Sequence, residues 1–140
     1  MEKKKAERNL LEEKSFEDQI NAAVKDLNYV SETDSEFFFF SGKAADEVSA
    51  KEILKQTERE DSVEERNFYG FFGNLTRHQA WFGKEQNKTA ERFADLRKLL
   101  AVNLVEKKVF KIGKVNVDIY IVGLDGENIL TGIWTKAVET

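Results

Sequence analysis

The chain has 140 residues, the length of one ordinary domain, and contains no cysteine, no proline and a single histidine. These counts exclude a disulfide scaffold, a thiol nucleophile, an iron–sulfur cluster, cysteine-ligated zinc and multi-histidine metal sites. Lys and Arg number 22 against 26 Asp and Glu, and the net charge of −4 argues against a general binder of nucleic acid or anionic membranes.

The N-terminal part of the chain is predicted to be a charged arm followed by a helix. Residues 1–14 are mostly charged, so we expect a disordered arm or a frayed helical turn. They lack the apolar run of a secretory signal, and we expect a cytoplasmic protein. Ser15 and Asp18 have capping-box spacing, which predicts a helix over residues 15–28. The polar segment 29–36 predicts a loop.

Four consecutive phenylalanines, Phe37–Phe40, predict a strand that is covered on both faces, because they would place two large rings on each side of a sheet. Ser41-Gly42 is predicted to end this strand. Ser49 and Glu52 again have capping-box spacing, and they predict a short helix that ends near Thr57.

The next segments are less uniform. Residues 58–65 are charged and predict a loop that leads into a strand. The aromatic, glycine-punctuated segment 67–73 fits a strand or a packed loop. Apolar residues recur every three or four positions over 87–103, which is the clearest helix pattern in the sequence.

The C-terminal part shows three strand patterns. Residues 109–112 are followed by alternating apolar residues over 115–122, a favoured hairpin turn at Asp125-Gly126, and a second alternating run from 129 to the end. This order predicts an antiparallel meander. With helices before it, the fold class is α+β, in a single domain over 15–140.

Catalytic motifs are scarce. His78 is the first candidate for general acid–base chemistry, because it is the only histidine. The sequence contains no nucleophile elbow, no phosphate-binding glycine loop and no calcium-loop pattern. A hydrolase that uses His78 and nearby acids is the least favoured interpretation, and no cofactor is predicted.

The acidic charge is concentrated in one block. Residues 32–66 hold 11 acids and 5 bases, a charge of −6, so the rest of the chain carries about +2. Such a block either attracts a basic partner or forms a solvated face.

The C-terminal sequence is the most specific feature of the chain. A segment over residues 99–123 is followed by the ending Gly-Ile-x-Thr-Lys-x-Val-Glu-Thr at positions 132–140. This combination resembles the nuclease A inhibitor family, and the resemblance extends over residues 15–140. Further matches lie upstream in the expected order: Ser31-Glu32, Ile53-Leu54-Lys55-Gln56-Thr57, Phe71-Phe72 and Trp81.

The resemblance implies a fold, a function and three site residues. It implies an α/β/α sandwich without enzymatic activity that blocks a sugar-non-specific, magnesium-dependent nuclease in a 1:1 complex. Thr140 would reach the catalytic magnesium of the nuclease, Glu32 would pair with a nuclease arginine, and Trp81 would lie against the nuclease. The α-carboxylate and hydroxyl of a terminal threonine are oxygen donors, which magnesium prefers.

The sequence departs from the family pattern in two contact loops. Ala80 stands where an acid is expected, and prolines expected near Glu36 and His78 are missing. Loops without proline lose more conformational entropy on binding, and they could also be fitted to another target. The alternative function is an acidic interaction module for a different basic partner.

Overall fold

The computed structural model describes residues 15–77 and 83–140, and the arm predicted at 1–14 lies outside them. The described residues form four helices and seven strands. In chain order these are α1 (Phe16–Val24), β1 (Asn28–Val30), β2 (Asp34–Glu36), β3 (Phe38–Ala44), α2 (Ala50–Thr57), β4 (Val63–Asn67), α3 (Phe68–Thr76), α4 (Lys84–Asn103), β5 (Val105–Ile112), β6 (Asn116–Leu124) and β7 (Ile129–Val138). Within these described ranges, no helix is long and apolar enough to span a membrane.

The strands form two antiparallel sheets. Five of them make a sheet in the order β3-β7-β6-β5-β4, and β1 pairs with β2 in a separate hairpin. The predicted meander is confirmed as β5-β6-β7, with Tyr120 directly opposite Trp134 and Gly123 opposite Thr131. The sheet edges are β3 and β4.

Helices cover both faces of the five-stranded sheet. Ile53 of α2 packs in one buried cluster with Phe110 and Val122 of the sheet. Residues from α1, α3 and α4, including Phe72, pack in a second cluster with Ile119, whose side chain points to the opposite face. The predicted class, α+β, and the α/β/α sandwich are therefore confirmed.

The two capping residues chosen from the sequence begin their helices. The Ser15 Oγ accepts a hydrogen bond from the Asp18 N–H at 3.1 Å, and the Ser49 Oγ accepts one from the Glu52 N–H at 3.1 Å. Each bond satisfies one of the free N–H groups at a helix start. The helix α4 begins earlier than predicted, at Lys84.

The first helix is shorter than predicted. It ends at Val24, and Asp26 leaves the helical conformation with a φ of 58°. The Arg92 Nη2 donates hydrogen bonds to the carbonyl oxygens of Ala23 at 3.0 Å and Lys25 at 2.5 Å. This guanidinium satisfies carbonyl groups that the end of the helix leaves free.

Three segments differ from their predicted structure. Residues 63–65 were expected to lie in a loop, but they begin β4. Residues 29–36 were expected to be a loop, but they contribute to the hairpin of β1 and β2. The segment 67–73 was expected to be a strand or packed loop, but most of it lies in α3. The Asn67 Oδ1 caps this helix by accepting from the Gly70 N–H at 2.8 Å, and Phe68 and Phe72 are buried one turn apart. The burial of this aromatic stripe outweighs the low helix propensity of glycine.

The phenylalanine run is covered less completely than predicted. Phe39 packs on the side of α1, α3 and α4, and Phe40 packs on the side of α2. Phe38, however, remains 45% exposed, because β3 is an edge strand and its first residues are not covered on that side. The strand also continues beyond Ser41-Gly42 to Ala44, with a shift in its pairing register between Ser41 and Ala44.

Candidate partner-binding site

The hairpin of β1 and β2 lies against the end of β7. The Thr135 Oγ1 donates a hydrogen bond to the carbonyl oxygen of Glu36 at 2.7 Å. Further along β7, the Val138 N–H donates to the Ser31 Oγ at 3.0 Å, and the Glu32 N–H donates to the Val138 carbonyl at 3.4 Å. The hairpin turn is thereby joined to the chain end.

Glu32 and Thr140 meet at this junction. The Thr140 Oγ1 donates a hydrogen bond to the Glu32 Oε1, and both residues are exposed. Two of the three site residues chosen from the sequence therefore lie side by side. Their hydroxyl and carboxylate oxygens form one polar tip.

The residue before the terminus holds this tip in place. The Glu139 N–H donates to the Val115 carbonyl at 2.8 Å, and the Glu139 Oε2 lies 2.6 Å from the Lys111 Nζ. The Lys111 side chain is only 16% exposed, so this ion pair is partly shielded from water. The C-terminal tail, Glu139–Thr140, is therefore anchored by both backbone and side chain.

Tyr29 packs beside this anchor. Its ring stacks on Phe71 with centroids 5.8 Å apart and an interplanar angle of 14°. Burial raises the pKa of the Tyr29 phenol above its usual value of 10.0, while Lys111 lowers it and Glu139 raises it. The phenol is thus neutral at physiological pH, and it adds no charge next to the ion pair.

The surface around the tip is acidic. Glu32, Asp34 and Glu36 are all exposed on the hairpin. Among residues 15–77 and 83–140, no group of three Asp, Glu, His or Cys side chains is arranged to hold a metal ion. The arrangement offers carboxylates to a basic surface or to a metal ion that a partner holds.

Comparison with known proteins identifies the family. Residues 14–140 match the family model described as nuclease A inhibitor-like protein. The chain belongs to this family. It is a family of nuclease inhibitors, as the C-terminal sequence predicts. No curated protein matches the chain.

The third predicted contact residue of this nuclease A inhibitor-like protein, Trp81, lies outside the described residues, as do His78 and Ala80. The structure also adds two positioning residues, Lys111 and Ser31, that had no predicted role. Lys111 pairs with Glu139 across the sheet, and no pattern of residue spacing in the sequence predicts this ion pair. A serine at a turn commonly bonds to nearby backbone, and the Ser31 Oγ does so with the Thr33 carbonyl at 3.1 Å. Its contact with the distant Val138 N–H follows from no such local rule.

Proposed function

We propose that this protein inhibits a sugar-non-specific, magnesium-dependent nuclease by occupying its active site in a 1:1 complex, and that it is not itself an enzyme. The observation that carries the proposal is the contact between Glu32 and Thr140 on an exposed and anchored acidic tip. Family membership supports the inhibitory activity. The cysteine-free sequence fits action in the cytoplasm, which we include in the proposal.

Thr140 has the chemistry to cap the magnesium ion of a nuclease. Its hydroxyl and α-carboxylate are hard oxygen ligands, and Mg²⁺ is bound in enzymes through a few such oxygens plus water and substrate phosphate. A terminal residue can enter a cleft more deeply than a loop. The two groups of Thr140 would stand where the scissile phosphate binds and would exclude it.

Glu32 would contribute the second contact. A nuclease cleft binds phosphates with cationic side chains, and a carboxylate can receive an arginine guanidinium in a bidentate pair. Glu32 is exposed and lies beside Thr140, so its carboxylate would enter the same cleft. Its backbone bond to Val138 fixes the turn that carries it.

Trp81 would supply an apolar contact at the edge of the same interface. Tryptophan is enriched among the residues that dominate binding energy at protein interfaces. This assignment rests on the resemblance of the sequence to the family. A substitution Trp81→Ala is expected to weaken the complex without removing inhibition at high protein concentration.

The test is an activity titration of nuclease A, the enzyme for which the family is named. The protein should abolish magnesium-dependent cleavage of both DNA and RNA, with the end point at one protein per nuclease. A metal-independent ribonuclease is the control and should keep its activity, because it has no magnesium for Thr140 to cap. Undiminished cleavage by nuclease A at molar excess would show that nuclease A is not a target of this protein.

A further inference from the structure

A row of four aromatic rings crosses one face of the sheet, on the side that carries α2. Phe38 and Trp134 lie with ring centroids 5.1 Å apart, Trp134 stacks on Tyr120 at 6.0 Å and 17°, and Tyr120 meets the edge of Phe40 at 5.2 Å. Phe40 and Tyr120 pack against the cluster under α2. Phe38 and Trp134 extend beyond this cover, and we call these two residues the aromatic patch.

The aromatic patch has an acidic border. It lines a depression of about 390 Å³ together with Asp34, Glu36 and Lys136. The Lys136 Nζ already lies over the Trp134 ring, 5.8 Å from its centroid. The depression therefore suits a cation, because the ring face attracts positive charge and two exposed carboxylates stand beside it.

The aromatic patch is continuous with the tip that carries Glu32 and Thr140. Alternate residues of an extended chain face the same side. One side of the chain therefore carries Trp134 and Lys136 and, at the next even positions, Val138 and Thr140. Glu139 faces Lys111 on the other side, in agreement with this alternation. Six residues of extended chain span about 20 Å, whereas an interface of about 800 Å² per partner is about 30 Å across. One partner can cover both places.

We propose that the surface that binds the nuclease continues from Thr140 along β7 onto the aromatic patch, where it takes an arginine or lysine side chain of the same nuclease. The cation would lie against the Trp134 ring, in place of Lys136, with Asp34 and Glu36 beside it. This inference rests on the proposed function. It adds a second anchor, about 20 Å from the metal-capping residue, that would determine which nuclease is bound.

The experiment measures the dissociation constant for nuclease A of the full chain and of the variants Phe38→Ser and Trp134→Ser. We expect each of these two variants to bind at least tenfold more weakly. In a double variant, Asp34→Asn with Glu36→Gln, the association rate should fall, and it should depend less on salt concentration. The variant Val102→Ser is the control, because Val102 is 75% exposed on α4, on the opposite side of the sheet. Its affinity should be unchanged.

A second readout separates contact from misfolding. In protein labelled with 5-fluorotryptophan, the ¹⁹F resonance of Trp134 should shift on binding nuclease A. The resonance is assigned from its absence in the variant Trp134→Phe.

Two results together would overturn this inference: an unshifted Trp134 resonance, and full affinity of the variant Trp134→Ser for nuclease A. If deletion of Thr140 still abolishes inhibition in that case, the proposed function remains intact. Failure of the unmodified chain to bind nuclease A would contradict both the proposed function and this inference for that nuclease. A third outcome concerns self-association. If the unmodified chain forms dimers, the Trp134→Ser variant is monomeric and both bind nuclease A equally well, the aromatic patch is a dimer contact and the proposal is overturned.

Discussion

The hydroxyl of Thr140 donates a hydrogen bond to the carboxylate of Glu32, although 108 positions separate the two residues in the chain. Chain termini are usually poorly ordered unless other contacts hold them. Here the hairpin of β1 and β2 and the ion pair of Glu139 with Lys111 provide such contacts. A tip that is ordered before binding loses less entropy in a complex, which favours tight inhibition.

The ion pair between Lys111 and Glu139 should affect binding more than folding. Replacing Lys111 with methionine keeps most of the side-chain volume but removes the side-chain anchor of the C-terminal tail. We expect the dissociation constant for nuclease A to rise about tenfold, equivalent to about 1.4 kcal/mol. The free energy of unfolding should fall by less than about 1 kcal/mol, because Glu139 is exposed enough to be hydrated.

Lys108→Met is the matched control for this change. Lys108 pairs with Glu65 at the β4 edge of the sheet, away from β3 and β7, with 3.6 Å between the charged atoms. Calorimetric titration should therefore give this variant the affinity of the unmodified chain. Equal affinities for both methionine variants would contradict a positioning role of Lys111.

Gly132 should be required for the pairing of β6 with β7. A Cβ atom at this position would lie 1.9 Å from the carbonyl oxygen of Ile121, and a backbone atom cannot move aside without a shift of the strand. Urea denaturation should show that Gly132→Ala loses at least about 2 kcal/mol of stability. Gly73→Ala, in α3 with open space around it, should gain about 0.5–1 kcal/mol. Similar stabilities of the two variants would argue against this strand register.

Stability should fall at alkaline pH through Tyr29 and Tyr120. Burial raises the pKa of both phenols above 10.0, and Asp118 further raises that of Tyr120 while Arg59 lowers it. The unfolded chain releases these protons first, so the stabilisation is complete below pH 10.0 and is lost as the pH rises through the folded-state values.

The measurement is the free energy of unfolding in urea between pH 9 and 11. A double variant, Tyr29→Phe with Tyr120→Phe, should lose less stability over this range, whereas the lysines deprotonate equally in both proteins. Parallel pH profiles would show that the two phenols titrate alike in the folded and unfolded chains.

Local features of the fold could be predicted because they depend on neighbours in sequence. The capping serines Ser15 and Ser49 and the alternation in β6 and β7 are patterns of this kind. The helix α3 differs from its prediction because glycine and aromatic residues have low helix propensity. Burial of Phe68 and Phe72 against the sheet stabilises the helix, in addition to its Asn67 cap. Tertiary packing of this kind leaves little trace in local spacing.

In the site, too, single residues could be predicted from the sequence, whereas the contacts between them could not. Glu32 and Thr140 were chosen from the family resemblance, but their contact depends on β7 passing beside the hairpin. The pairing of Lys111 with Glu139 likewise depends on the order of the strands in the sheet. The exposure of Phe38 follows from the edge position of β3, whereas four consecutive phenylalanines predicted a covered strand.

The most direct test of the central claim compares three forms of the chain in an activity titration of nuclease A: unmodified, lacking Thr140, and extended by one alanine after Thr140. The deletion removes the hydroxyl and moves the α-carboxylate, and the extension moves the α-carboxylate alone. We predict stoichiometric inhibition by the unmodified chain and inhibition weakened at least a hundredfold in both altered forms, with unchanged melting temperatures. Equal inhibition by all three forms would contradict the claim that Thr140 blocks the catalytic metal.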